Sequence, residues 1–60
     1  MDYIIEKPVN FKSARIVYDG VPKLVITLTD TLFQRQMDLE PTYSDFKLEI
    51  TDTEIIVTEE

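Results

Sequence analysis

Hydrophobic and polar residues alternate in short runs along most of the chain, which is the pattern of half-buried β-strands. Valine, isoleucine, threonine, tyrosine and phenylalanine are concentrated in these runs, and proline, glycine, aspartate and serine separate them. The pattern predicts strands near 2–6, 13–18, 24–29, 45–51 and 54–59. It therefore favours an all-β fold, a small antiparallel meander or barrel of five to six strands.

The last two predicted strands form the best-defined hairpin. A two-residue turn at Asp52 and Thr53 pairs Thr51 with Glu54. Alternation then places five apolar residues on one face, namely Phe46, Leu48, Ile50, Ile55 and Val57. One register satisfies both strands, which supports it. Tight turns prefer asparagine followed by glycine, so a longer turn stays open as an alternative.

A second hairpin is predicted around the segment 19–23, where Gly20 supplies a permissive backbone and Pro22 a fixed φ. A five-residue loop there aligns six residues on one face, pairing Tyr18 with Leu24, Ile16 with Ile26 and Ala14 with Leu28.

Residues 30–39 fit two interpretations. The triplet 29–31 repeats the Thr-Asp-Thr of 51–53, and both triplets follow an alternating strand. The repeat favours a returning strand over 32–39, with Phe33, Arg35, Met37 and Leu39 on one face. The same segment is rich in helix formers and has no β-branched residue, so a short helix near 31–38, capped by Asp30 or Thr31, stays open.

The composition limits the kinds of chemical site that the chain can form. Sixty residues make one domain (1–60) that buries only about 60% of its unfolded surface, so oligomerisation or partner binding would help to stabilise it. Because the chain has no cysteine, no histidine and a single glycine, disulfides, the common metal sites and phosphate-binding loops are not expected. Twelve acids offer many carboxylate pairs, but so short a chain rarely encloses a cleft of ~300 Å³. We therefore expect no catalytic residues, no metal and no cofactor.

The amino-terminal residues 1–6 contain an early acid and too short an apolar run for a signal peptide. No stretch approaches the ~20 apolar residues of a membrane span. Together with the missing cysteines, these features predict a cytoplasmic protein without a membrane partner.

Charge is the strongest functional signal. The net charge of −6 argues against direct nucleic-acid binding, which needs a basic stripe. Residues 1–37 carry a net charge near +1, whereas residues 38–60 carry one near −7. Such a segment suits docking on a basic protein surface. The candidate docking residues are Asp45, Glu49, Asp52, Glu54, Glu59 and Glu60.

The predicted sheet also has apolar residues on its outer side. Val17 and Val25 would pair across the second hairpin, and Leu32 and Ile56 would join them. An exposed sheet face should be polar, so we expect a cover from the chain itself, a second subunit or a partner. The candidate homodimer face is Val17, Val25 and Ile56.

These features predict a non-enzymatic acidic binding module that regulates or inhibits a protein with a basic surface. By analogy of size and charge, it suits an accessory protein of a phage or mobile element that mimics nucleic-acid charge. The alternative is a structural unit whose sheet builds a homo-oligomer, and a weaker third option is an enzyme whose site forms only between subunits.

Overall fold

The computed structural model describes residues 2–30, 32 and 34–60, and in that part of the chain it contains six strands and no helix. The strands are β1 (Asp2–Glu6), β2 (Phe11–Asp19), β3 (Val21–Leu28), β4 (Gln34–Asp38), β5 (Phe46–Ile50) and β6 (Glu54–Glu59). They form two antiparallel sheets, the terminal sheet in the order β1-β6-β5 and the middle sheet in the order β2-β3-β4. The predicted all-β class is confirmed.

The predicted β5–β6 hairpin is confirmed in its register and its turn. Phe46 pairs with Glu59 and Ile50 with Ile55. The backbone N–H of Thr51 donates to the carbonyl of Glu54 at 2.9 Å, so the turn is not longer than predicted. The Thr51 hydroxyl oxygen also accepts the N–H of Glu54 at 3.0 Å, which compensates for the missing asparagine–glycine pair.

The predicted loop of the β2–β3 hairpin is wrong. The chain reverses at Gly20, and the residues after it already belong to β3. The register is two residues tighter, with Tyr18 opposite Pro22, Ile16 opposite Leu24 and Ala14 opposite Ile26. A shift of two residues leaves every side chain on its predicted face, because strand side chains alternate with a period of two.

Gly20 makes this tight reversal possible. Its φ of 80° lies in the left-handed region, and a Cβ added there would meet no atom within 4 Å. A side chain is therefore disfavoured only by backbone conformation. We expect Gly20→Ala to lower the free energy of unfolding by about 1–2 kcal/mol, and Gly20→Asn by less, because asparagine tolerates this region. Urea midpoints of the two variants test this, and equal losses would contradict it.

Residues 34–38 of the ambiguous segment form a strand, and its described residues contain no helix. β4 pairs with β3, placing Arg35 opposite Ile26 and Met37 opposite Leu24. Pairing with a buried neighbour thus overrides the local preference of these residues for a helix. Without the helix there is nothing for Asp30 to cap, and Thr31 and Phe33 lie outside the described residues.

The two sheets share one hydrophobic core. Its buried members come from both sheets and from the segment after β4: Leu24, Ile26, Leu28, Leu39, Phe46, Ile55 and Val57. β3 and β6 contribute most of them because each is the central strand of its sheet. Ile50 was predicted to join this core, but it is 42% exposed because it lies at the end of β5, beside the turn.

Two tyrosines connect the sheets. Tyr18 of the middle sheet accepts the backbone N–H of Phe46 at 3.0 Å, where β5 begins. Tyr3 of the terminal sheet accepts the N–H of Glu40 at 2.9 Å, just after β4. The segment 40–45, which passes from one sheet to the other, is therefore held at both ends by hydroxyl groups of the opposite sheet.

Candidate functional site

The predicted docking acids do not lie on one surface. Glu49 and Glu54 project from the outer face of the terminal sheet, and Asp52 is exposed in the turn beside it. Asp45 and Glu60 lie at the opposite end of the hairpin, where the Glu60 N–H donates to the Asp45 carbonyl at 2.9 Å. The structure therefore groups only part of the predicted set.

Glu59 is held by hydrogen bonds within the protein. It is half-buried, and the Ser44 hydroxyl donates to its Oε2 at 2.7 Å. Hydrogen bonding to the ionised carboxyl, including the bond from Ser44, lowers the pKa of Glu59. A carboxylate occupied in this way contributes less to a docking surface than one facing solvent.

Two acids from the first strand join Glu49 and Glu54. The β1–β6 pairing places Glu6 directly opposite Glu54, and Asp2 lies on the same outer face, opposite Thr58. The sequence interpretation missed both residues because they belong to the nearly neutral part of the chain. The charge is divided by sheet, and not by position along the sequence.

An apolar pair lies at the centre of this face. Ile4 pairs with Ile56, Ile56 pairs on its other side with Glu49, and Ile4 is 64% exposed. The sequence indicates which residues form this pair. It has three consecutive apolar residues in each of two strands, Tyr3-Ile4-Ile5 and Ile55-Ile56-Val57. In an alternating strand, the middle residue of such a run must face away from the core. We call the surface formed by Asp2, Ile4, Glu6, Glu49, Glu54 and Ile56 the acidic face.

The carboxylates of the acidic face outnumber the cations on the same side of the sheet. None of them forms an ion pair with another described residue. Glu6 and Glu54 are direct cross-strand neighbours, an arrangement that destabilises a sheet because like charges repel. One cation, Lys47, shares the outer side of this sheet, opposite Thr58. A positively charged partner would relieve the repulsion.

The predicted homodimer face is divided between the two sheets. Val17 and Val25 belong to the middle sheet and Ile56 to the terminal sheet, so the three residues do not share one sheet face. The predicted pairing of Val17 with Val25 is also wrong, since Val17 pairs with Lys23 and Val25 with Arg15. Val25 is only 4% exposed, lying between Arg15 and Gln36 on the neighbouring strands.

The outer face of the middle sheet carries as many anions as cations, because Asp19 and Asp38 share it with Arg15 and Lys23. Arg15 and Lys23 lie on it, with Asp38 opposite Lys23. The other end of this face carries three polar residues that are cross-strand neighbours, namely Ser13, Thr27 and Gln34. The terminal sheet thus has an acidic outer face, whereas the charges on the outer face of the middle sheet cancel.

A partly open groove of about 310 Å³ lies between the first and fourth strands. Its lining residues are Ile5, Leu24, Ile26, Arg35, Gln36 and Met37. The groove reaches the size that the sequence interpretation considered rare in so short a chain, but no carboxylate is among the described residues that line it. It therefore brings together no pair of acids for general acid–base chemistry.

Two further carboxylates, those of Asp30 and Asp52, lie outside the strands. Asp30 accepts a hydrogen bond from the Asn10 side chain, which ties two loops together, and Asp52 is exposed in the β5–β6 turn. In the part of the chain that the structure describes, no three acids form a group that could hold a metal ion. Nor does that part contain a helix of the length and hydropathy needed to cross a bilayer.

Comparisons with known proteins find no family model that matches the chain, no similar curated protein and no similar solved structure. The function must therefore be inferred from the surfaces of the molecule itself.

Proposed function

We propose that the protein is a non-catalytic binding module that docks its acidic face on a basic protein surface and so regulates or inhibits that partner. The observation that carries the proposal is the pair formed by exposed Ile4 and half-buried Ile56, with four carboxylates around it that form no ion pair with described residues. Protein interfaces commonly combine an apolar centre with a polar or charged rim, and the acidic face has both.

The chemistry of the face defines its partner. The complementary surface has a small apolar patch surrounded by lysine or arginine side chains. Surfaces of this composition occur on proteins that bind nucleic acid, because they neutralise phosphates with lysine and arginine. Occupying such a surface with carboxylates would compete with the nucleic acid, which makes inhibition the regulatory mode that this face supports best.

The alternative function, a homo-oligomeric structural unit, is less compatible with the same face. In a twofold dimer each subunit contributes the same patch. An Ile4–Ile56 contact between two copies would therefore bring together two sets of four carboxylates, and like charges across an interface are unfavourable. A partner of opposite charge can cover the same isoleucines without this repulsion.

We expect the double variant Glu49→Lys/Glu54→Lys to bind the partner about tenfold more weakly than the wild type, mainly through slower association. The partner is captured from host lysate with wild-type protein, identified and purified. Its binding kinetics are then measured over a salt series, and wild-type association should slow as salt rises because exposed charges are screened.

The matched control is Asp19→Lys/Glu40→Lys, which changes the net charge equally at two exposed positions outside the acidic face. It should bind within about twofold of the wild type. Equal weakening by both double variants would mean that only net charge matters. An affinity indifferent to salt and to both variants would reject docking through the acidic face.

A further inference from the structure

The groove between the first and fourth strands is a concave opening lined by residues of β1, β3 and β4. Along the other edge of the two sheets, the Tyr18–Phe46 hydrogen bond draws β2 and β5 together. On the β1 and β4 side the Tyr3–Glu40 hydrogen bond joins the sheets beyond the end of β4, and an opening of about 310 Å³ remains among residues of β1, β3 and β4. The groove therefore exposes the interior of the fold along one edge.

The floor of the groove is aliphatic. Leu24 and Ile26, both buried members of the core, lie at its base, and Ile5 and Met37 form part of its walls. A small domain buries little apolar surface, so apolar surface left exposed at an opening onto its core is a loss of stabilising burial. An apolar ligand group in the groove would remove part of this surface from water.

Arg35 is the unusual residue of the groove. It occupies the core-facing side of β4, opposite Ile26, in a series that continues with the apolar Met37 and Leu39. Its guanidinium forms no ion pair with any described residue, and the lining residues include no acid. The chain has a net charge of −6 and only two arginines, and Arg35 is exposed beside an apolar opening with no ionic partner among the described residues.

We propose that the groove binds a small aliphatic carboxylate, with its hydrocarbon chain on Leu24, Ile26 and Met37 and its carboxylate paired with Arg35. A guanidinium presents a planar fork of donors that matches the two oxygens of a carboxylate, and its own methylene stem can lie along apolar surface. The volume is at the lower end of the range for ligand pockets, which suits one short alkyl chain better than a lipid with two.

Decanoate, used below its micelle-forming concentration, is a suitable probe, and decanol is the matched neutral ligand. Calorimetry measures affinity, and backbone amide shifts locate the site. We expect saturable decanoate binding with shifts concentrated at the groove-lining residues, and about tenfold weaker binding of decanol. Arg35→Gln should lower decanoate affinity by a similar factor and leave decanol affinity unchanged.

The control variant is Arg15→Gln, which removes the other arginine from the outer face of the same sheet and should bind decanoate like the wild type. Equal affinity for decanoate and decanol, or equal loss in both arginine variants, would overturn the proposal. If Arg35→Gln does not fold, the comparison of decanoate with decanol on the wild-type protein still tests the proposal.

A charge on the inner side of an edge strand can also act only to prevent pairing with other chains. In that case the wild type would show no saturable decanoate binding, and Arg35→Gln would self-associate in sedimentation. That result would overturn the ligand proposal. Groove shifts that grow with protein concentration before any ligand is added would assign the groove to a second copy of the chain, and would overturn it as well.

Discussion

Replacing Ile55 with alanine is expected to lower the free energy of unfolding by about 2–5 kcal/mol. Ile55 has 0% exposure and lies on β6, the central strand of the terminal sheet. Truncation there removes buried methyl and methylene groups and leaves a cavity that neighbouring side chains fill only in part. At about 0.05–0.15 kcal/mol per residue, a domain of this length has roughly 3–9 kcal/mol of stability, so the variant should be partly or fully unfolded.

The matched control is Ile50→Ala. Ile50 is the direct cross-strand partner of Ile55, has the same side chain and faces the same side of the sheet, but it is substantially exposed. Its truncation should cost about 1 kcal/mol or less. Thermal and urea unfolding, followed by far-UV circular dichroism, measures both variants. Similar losses at the two positions would contradict the difference in burial.

Tyr18→Phe is expected to cost about 1–3 kcal/mol, the second largest effect. The substitution removes the hydroxyl that accepts the Phe46 N–H in a partly buried hydrogen bond between the sheets. The ring keeps its packing, so the loss reports the amide group left without a partner. The free energy of unfolding, from urea titration, is the quantity to measure.

Tyr3→Phe provides the comparison, because Tyr3 makes the equivalent bond to the Glu40 N–H at an exposed site. Water can replace the missing hydroxyl there, so we expect a loss below about 1 kcal/mol. A larger loss for Tyr3→Phe than for Tyr18→Phe would show that the hydroxyl of Tyr18 is not an important link between the sheets.

The parts of the fold that the sequence predicts are those in which neighbouring segments pair. The β5–β6 hairpin is predictable because a two-residue turn and two alternating strands agree on one register. The β2–β3 hairpin is predicted with its faces right and its register wrong, since registers that differ by two residues bury the same side chains. The residues of β4 favour a helix locally, and they form a strand because they pair with β3.

Surfaces built from distant segments are not predictable in the same way. Alternation shows that Ile4 and Ile56 each face outwards, but nothing local indicates that β1 and β6 are neighbours. Without that pairing, Asp2 and Glu6 appear unrelated to Glu49 and Glu54. The groove depends on the separation of two sheets, a distance that no sequence pattern encodes. Arg35 is therefore recognisable on its face of β4, but its apolar surroundings are not.

The pairing of β1 with β6 also affects how the chain reaches its native state. This pairing joins the first and last strands, with Asp2 opposite Thr58, whereas each strand of the middle sheet pairs with its neighbour in sequence. Closing the longer loop costs more chain entropy, so β1 is expected to add last. Until then, β6 has one unpaired edge with Ile55, Ile56 and Val57 in it, a segment that other chains could extend. Refolding yield at high concentration will therefore depend more on β1 than equilibrium stability does.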